Sequence, residues 1–325
     1  MGSSEPRIKS GFNYARQFGE IPVLVDLQLR PEQQTWLAKP PKDPEPIETV
    51  LYLGCNVLRT SHIVATLTDI LERLGTKYQA VGGPAYCCGI VHHRNGDTEV
   101  GYSLGDKMVR YFEAFQPERV VMFCPSCIST YEELLEAPGS FEALSALEYL
   151  AERIHELEFL PATKTQRVAL HYHTGHEFQD KHAAALRTIL GALPGVELVD
   201  LGADARLGRI CAPHNRQAAG PELWDNLMRS SFEAAAAAEV DVYATIYHGC
   251  QRQHCLSQPH WPFQIEHYLT VVGRALGIAY EDKYRQWAAL GDVDRIMADA
   301  EPCMRANGAD VAAIRPVLER VFLKK

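Results

Sequence analysis

Five cysteines fall within the first 127 residues in three clusters: Cys55, the adjacent pair Cys87-Cys88 followed by Gly89, and Cys124-Pro125-Ser126-Cys127. Thiolates are soft donors for zinc and iron. One tetrahedral zinc takes four ligands and would leave a thiol idle, whereas an iron–sulfur centre can use all five, which favours iron–sulfur over zinc and over buried structural cysteines. Disulfides are a poor use of these thiols. A vicinal pair is badly placed for one, the total of nine cysteines is odd, and a reducing compartment keeps thiols free.

The clusters are 32 and 36 residues apart, about one strand–helix unit each, so each can sit at a strand end. In this arrangement the chain resembles the cysteine-rich "CCG" proteins typified by the B-type subunit of heterodisulfide reductase. The resemblance covers roughly residues 48–280 and is strong in the first half and weak in the second. It implies a noncubane [4Fe-4S] cluster held by Cys55, Cys87, Cys88, Cys124 and Cys127, used in thiol/disulfide or bound-sulfur redox chemistry. It also implies a ferredoxin-type partner subunit and, as a further candidate, a flavoprotein subunit. The alternatives are an electron-transfer or scaffold subunit whose cluster never touches substrate, and a structural zinc protein.

Behind the cysteines stand the elements that must position them. Val50-Leu51-Tyr52-Leu53 is an apolar run of the kind a buried parallel strand shows, and it ends at Gly54-Cys55. Ile63, Leu67, Ile70, Leu71 and Leu74 keep a helical period up to Gly75, which stands where a C-cap belongs. A strand near 78–81 leads to the Cys87-Cys88 pair, a helix over 100–115 follows, and the strand 120–123 delivers Cys124. Strands near 168–172, 196–199 and 241–247 and helices near 179–192 and 221–239 repeat this order. Superposing the halves sets Cys88 against Cys211 and Cys127 against Cys250, 39 residues apart in each half, with His173, Ile210 and Tyr247 in the places of Cys55, Cys87 and Cys124.

The expected fold is therefore α/β: two pseudo-repeated Rossmann-like halves with parallel sheets, an extended N-terminal arm and a helical C-terminal tail. The expected boundaries are 1–47 for the arm, with at most short helical pieces, 48–160 for the first CCG domain, 161–280 for the degenerate second one, and 281–325 for the tail. The second half keeps His173, Cys211, Cys250 and Cys255 as metal ligands, with His171, His176, His214, His248 and His254 nearby in sequence. That set suits zinc or a smaller iron–sulfur cluster, against a metal-free pseudo-site lining a pocket.

Around the cysteine pair, His92, His93 and Arg94 are the candidate catalytic residues, the histidines as proton donors and the arginine as a holder of anionic substrate. Glu266, His267 and Tyr268 read as face residues of a helix starting near Pro262. No ferredoxin Cys-x-x-Cys-x-x-Cys motif, P-loop or dinucleotide fingerprint is present, so electrons must come from a partner and no nucleotide is indicated. With 32 basic and 41 acidic residues the net charge is −9, which argues against nucleic acid and anionic lipid. No long apolar run and no signal organisation at the start lead to the expectation of a cytoplasmic enzyme subunit without membrane insertion.

Overall fold

The apolar run at 50–53 is the centre of a strand, Thr49–Gly54 (β1), whose six residues are all buried, as helices on both faces of a parallel sheet require. The computed structural model describes residues 11–135 and 139–323. β1 pairs with Tyr78–Gly82 (β2) on one side and Arg119–Met122 (β3) on the other, and Glu142–Ser145 (β4) closes the edge, so the parallel sheet has the order β2-β1-β3-β4. Gln166–His171 (β5), Val196–Val199 (β6), Val242–Thr245 (β7) and Gln264–His267 (β8) form a second parallel sheet in the order β6-β5-β7-β8. The two sheets have the same topology, strand for strand.

The first half carries Tyr14–Gln28 (α1), Ser61–Arg73 (α2), Ile90–Arg94 (α3), Thr98–Glu113 (α4), Pro125–Glu133 (α5) and Ala146–Arg153 (α6). In the second, Glu177–Gly191 (α7), Pro213–Ala219 (α8), Pro221–Ala237 (α9), His248–His254 (α10) and Tyr268–Ala275 (α11) stand between and after the strands. Lys283–Leu290 (α12), Val293–Ala306 (α13) and Val311–Leu318 (α14) form the tail. Helix α2, after the first strand of one half, packs on α11, after the last strand of the other; α6 and α7 make the converse pair. The halves thus meet through an approximate two-fold arrangement. Gly273 lets α11 come close, since a Cβ there would lie 2.8 Å from Thr66 Cγ2.

The segment before β1 differs from the expected arm. Within it α1 is a 15-residue helix, and Ile21, Leu24, Val25 and Leu27 are buried. Its apolar spacing i, i+3, i+4 gains stability by docking on α13 and α14, where Leu24 and Leu27 join Trp287, Ile296, Ile314 and Leu318 in a separate core. Asn307 Nδ2 caps the far end of α1 by donating to the carbonyls of Asp26 and Leu29 at 2.9 and 2.8 Å. The first ten residues lie outside the described residues. Glu266 and His267 are a second difference, because they belong to β8 and the helix starts only at Tyr268. Among the described residues no helix is long and apolar enough to cross a membrane.

Candidate functional site

In an open α/β sheet the crevice forms beyond the carboxyl ends of the strands where strand order reverses. Here the reversal lies between β1 and β3. Cys55 follows β1, Cys87 and Cys88 follow β2, and β3 leads to Cys124, the N-cap of α5, with Cys127 in that helix's first turn. All five are buried, and all five line one cavity of about 460 Å³ between the halves. Gly54 (φ +78°) faces these sulfurs directly: a Cβ there would lie 2.9 Å from Cys124 Cβ and 3.2 Å from Cys127 Sγ. Gly89 (φ +86°) answers to another need. A Cβ on it would collide with the backbone of Gly101 in α4.

The thiols form a connected group. Cys55 and Cys87 share a hydrogen bond; together with burial it holds the Cys55 thiol well above its ordinary range, while the same bond lowers Cys87 against the cost of burial. Cys127 hydrogen-bonds Cys124 and Cys88; the first bond, with help from His248, pulls the Cys124 thiol well below its ordinary range against the cost of burial, while Cys127 itself is raised. Tyr52 OH receives Cys127 Sγ at 3.4 Å and donates to the Tyr86 carbonyl at 2.6 Å. Five thiol donors drawn from three strand ends around one cavity exceed the four that a single tetrahedral ion takes, and so suit an iron–sulfur cluster better.

Of the candidate catalytic residues only Arg94 lines the cavity. Its Nη2 reaches Ser126 Oγ at 3.5 Å; burial works against its charge, and Cys88, Cys124 and Cys127 support it. His92 and His93 do not line it. His92 stacks on Tyr14 at 4.0 Å and His93 sets its edge on Tyr102 at 4.5 Å, so both rings serve packing around α3. The cavity instead receives His248, in hydrogen-bonding contact with Cys124, and His214, which burial holds down at about 4 and therefore neutral. Arg252 and Arg59 add positive charge; Arg59 is already engaged by Glu20 at 3.4 Å and the Gln17 carbonyl at 2.9 Å. The sequence alone placed His248 among nearby donors of the second half. Its role at Cys124 emerges only once the halves face each other.

The second half brings together His173, Cys211 and Cys250, and adds His171; the four donor atoms lie within 4.8 Å of one another, all buried. His171 Nε2 is 3.1 Å from Cys211 Sγ, and His173 Nε2 is 3.2 Å from Cys250 Sγ and 3.4 Å from Cys211 Sγ. Burial opposes charge on Cys250, but Cys211, His173 and His171 together hold its thiol well below the ordinary range. Cys255, expected among the ligands, is not part of this group. Its sulfur turns to the Arg252 carbonyl at 3.7 Å, and His254, one residue earlier on the helix, points Nε2 at Cys211 Sγ at 3.0 Å.

This fold and this cavity define a cysteine-rich α/β protein of two halves with the same strand order, with a full set of five thiols in the first only. Residues 49–131 match the cysteine-rich domain CCG. Over 233 residues the chain is 23% identical to one subunit of the dihydromethanophenazine:CoB–CoM heterodisulfide reductase of Methanosarcina mazei, covering 68% of this chain and 56% of that protein. The Methanosarcina acetivorans protein of the same name is 21% identical over 84% of this chain and 71% of its own length. An EtfAB:quinone oxidoreductase of Syntrophomonas wolfei is 24% identical over 57% of this chain and 26% of its own. The chain thus spans just over half of the first of these relatives. Among solved structures, an aspartate racemase of Picrophilus torridus is matched at 12% identity over 73% of this chain and 98% of its own, with a TM-score of 0.32, too low to bear on function. Residues 49–131 are thus similar to the cysteine-rich CCG domain, and the chain around them is similar, at low identity, to heterodisulfide reductase subunits.

Proposed function

We propose that this chain is the sulfur-handling component of an iron–sulfur oxidoreductase, with Cys55, Cys87, Cys88, Cys124 and Cys127 holding a noncubane [4Fe-4S] cluster. The observation that carries the reading is that all five thiols face one cavity whose other walls supply positive charge and a histidine. When bound, such a cluster supplies one-electron transfer to a sulfur atom, the step that disulfide chemistry lacks without a cofactor. Cleaving a disulfide takes two electrons and two protons and yields two thiols. The electrons come from a ferredoxin-type partner subunit, with a flavoprotein as the more distant source, and the relatives named as reductase subunits support such an assembly.

The chain's own residues do the rest. Arg94 and Arg252 hold an anionic thiol or disulfide against the thiolate wall, since guanidinium groups in a partly dry cleft attract carboxylate, sulfonate or phosphate more strongly than in water. His248, buried and touching Cys124, stands where a proton must be passed to a product thiolate. The helix α5 N-terminus favours thiolate at Cys124.

The test is electron paramagnetic resonance of the anaerobically prepared full chain, oxidised with and without added thiol. The reading expects a paramagnetic signal that appears or shifts only when thiol is present. A signal indifferent to every thiol and disulfide offered would leave an electron relay and remove the substrate-binding role.

A further inference from the structure

We infer that the second half binds one zinc ion through His171, His173, Cys211 and Cys250, independently of any cluster in the first half, and that this ion fastens the far wall of the cavity. A tetrahedral zinc with bonds of about 2.0–2.3 Å sets its donors about 3.3–3.8 Å apart. The sulfur–nitrogen distances of 3.1, 3.2 and 3.4 Å are already near that, and no pair exceeds 4.8 Å. The donor set comes from the three strand ends that deliver the cysteines in the first half: β5 ends at His171 and leads to His173, β6 leads through a turn to Cys211, and β7 leads to Cys250 in the first turn of α10.

The imidazoles are aimed from behind. His173 Nδ1 is 2.8 Å from the Gly208 carbonyl, and His171 Nδ1 is 3.0 Å from Tyr243 OH, which in turn meets Ser231 Oγ at 2.7 Å. Outer contacts of this kind fix the ring and leave Nε2 free for a metal. His254, in this arrangement, donates its Nε2–H to Cys211 sulfur and tempers the thiolate. Charge also balances, since two thiolates neutralise one divalent ion, and a neutral site is the kind a dry interior tolerates.

A second five-thiolate cluster does not fit. Ile210 and Tyr247 stand at two of its ligand positions, and the Tyr247 ring is stacked on His173 at 5.8 Å and 12°. A two-iron cluster would spread its ligand pairs over two metals, wider than this group. Four protein donors close the coordination shell, which marks a structural ion. Zinc would tie the 208–214 segment, including Ile210, Cys211 and His214 of the cavity wall, to β5 and α10. Binding requires both cysteines as thiolates and releases to the buffer whatever thiol protons they still carry.

The test uses the full chain carrying Cys124→Ser and Cys127→Ser, so that first-half metal does not interfere, purified anaerobically and loaded with zinc alone. One zinc per chain is expected, with X-ray absorption showing two sulfur and two nitrogen neighbours. In the otherwise intact chain, Tyr243→Phe keeps the packing and should weaken zinc retention against a chelator about 10-fold or more. Adding His171→Gln and Cys250→Ser to the intact chain should remove the zinc and leave first-half iron unchanged. No zinc, zinc with oxygen neighbours, or iron with sulfide at this site would overturn the inference. Loss of iron from the intact chain with zinc retained would instead count against the first-half reading.

Discussion

At Gly54 the backbone, the side-chain space and the cysteines make one demand. The φ of +78° is costly for any residue with a Cβ, and that Cβ would enter the space of Cys124 and Cys127. Gly54→Ala is therefore expected to cost about 1–3 kcal/mol in stability and to lower iron retained through purification. Gly75, also at positive φ (+64°) but with nothing within 4 Å of a built Cβ, is the control. Gly75→Ala should cost about 1 kcal/mol and leave iron content unchanged. Equal iron loss in both variants would mean that Gly54 acts only through the backbone. The cysteines themselves are unequal: hydrogen bonding favours thiolate at Cys87 and Cys124 and thiol at Cys55 and Cys127, an order that metal binding would erase by deprotonating all of them.

At the scale of elements, α7 shows how burial ties stability to acidity. Its His182 is buried, contacts Tyr247 OH at 2.9 Å, and is pushed by burial to about 4 from an ordinary 6.5. The unfolded chain binds this proton near pH 6.5 and the folded one does not, so the stabilisation is complete above that pH and is lost as the pH falls towards 4. Between pH 7 and pH 5 denaturant unfolding should show the wild type losing about 2 kcal/mol more than His182→Gln. Parallel slopes for the two proteins would contradict the assignment.

The strands that deliver the cysteines were legible because each is a run of apolar residues ending at glycine or cysteine, and α2, α7 and α9 were legible from their period. The edge strands β4 and β8 were not. Glu142–Ser145 and Gln264–His267 are four residues long, mixed in polarity, and owe their conformation to β3 and β7 beside them. The proline-rich start concealed α1, because its stability comes from α13 and α14, some 280 residues away, and not from its own propensity. In the site, the five thiols and the trio His173, Cys211 and Cys250 were legible from spacing. That Cys255 turns away from the second group while His254 turns in depends on the direction of α10, that His171 joins it depends on the end of β5, and that His248 lines the cavity while His92 and His93 do not depends on the other half of the molecule.

Over the whole molecule, one strand plan occurs twice and faces itself across a shared cavity. The first copy presents five thiols and the second presents two thiols among histidines. On the reading proposed above, the first copy is the redox wall of that cavity and the second its structural wall, each with its own metal chemistry. The account depends on the first wall holding iron and inorganic sulfide. Quantifying both in the anaerobically purified full chain, beside a variant carrying Cys87→Ser and Cys88→Ser, tests this most directly. The prediction is about four irons and four sulfides per wild-type chain, with both lost in the variant. Zinc in place of iron in the wild type, or iron and sulfide undiminished in the variant, would contradict it.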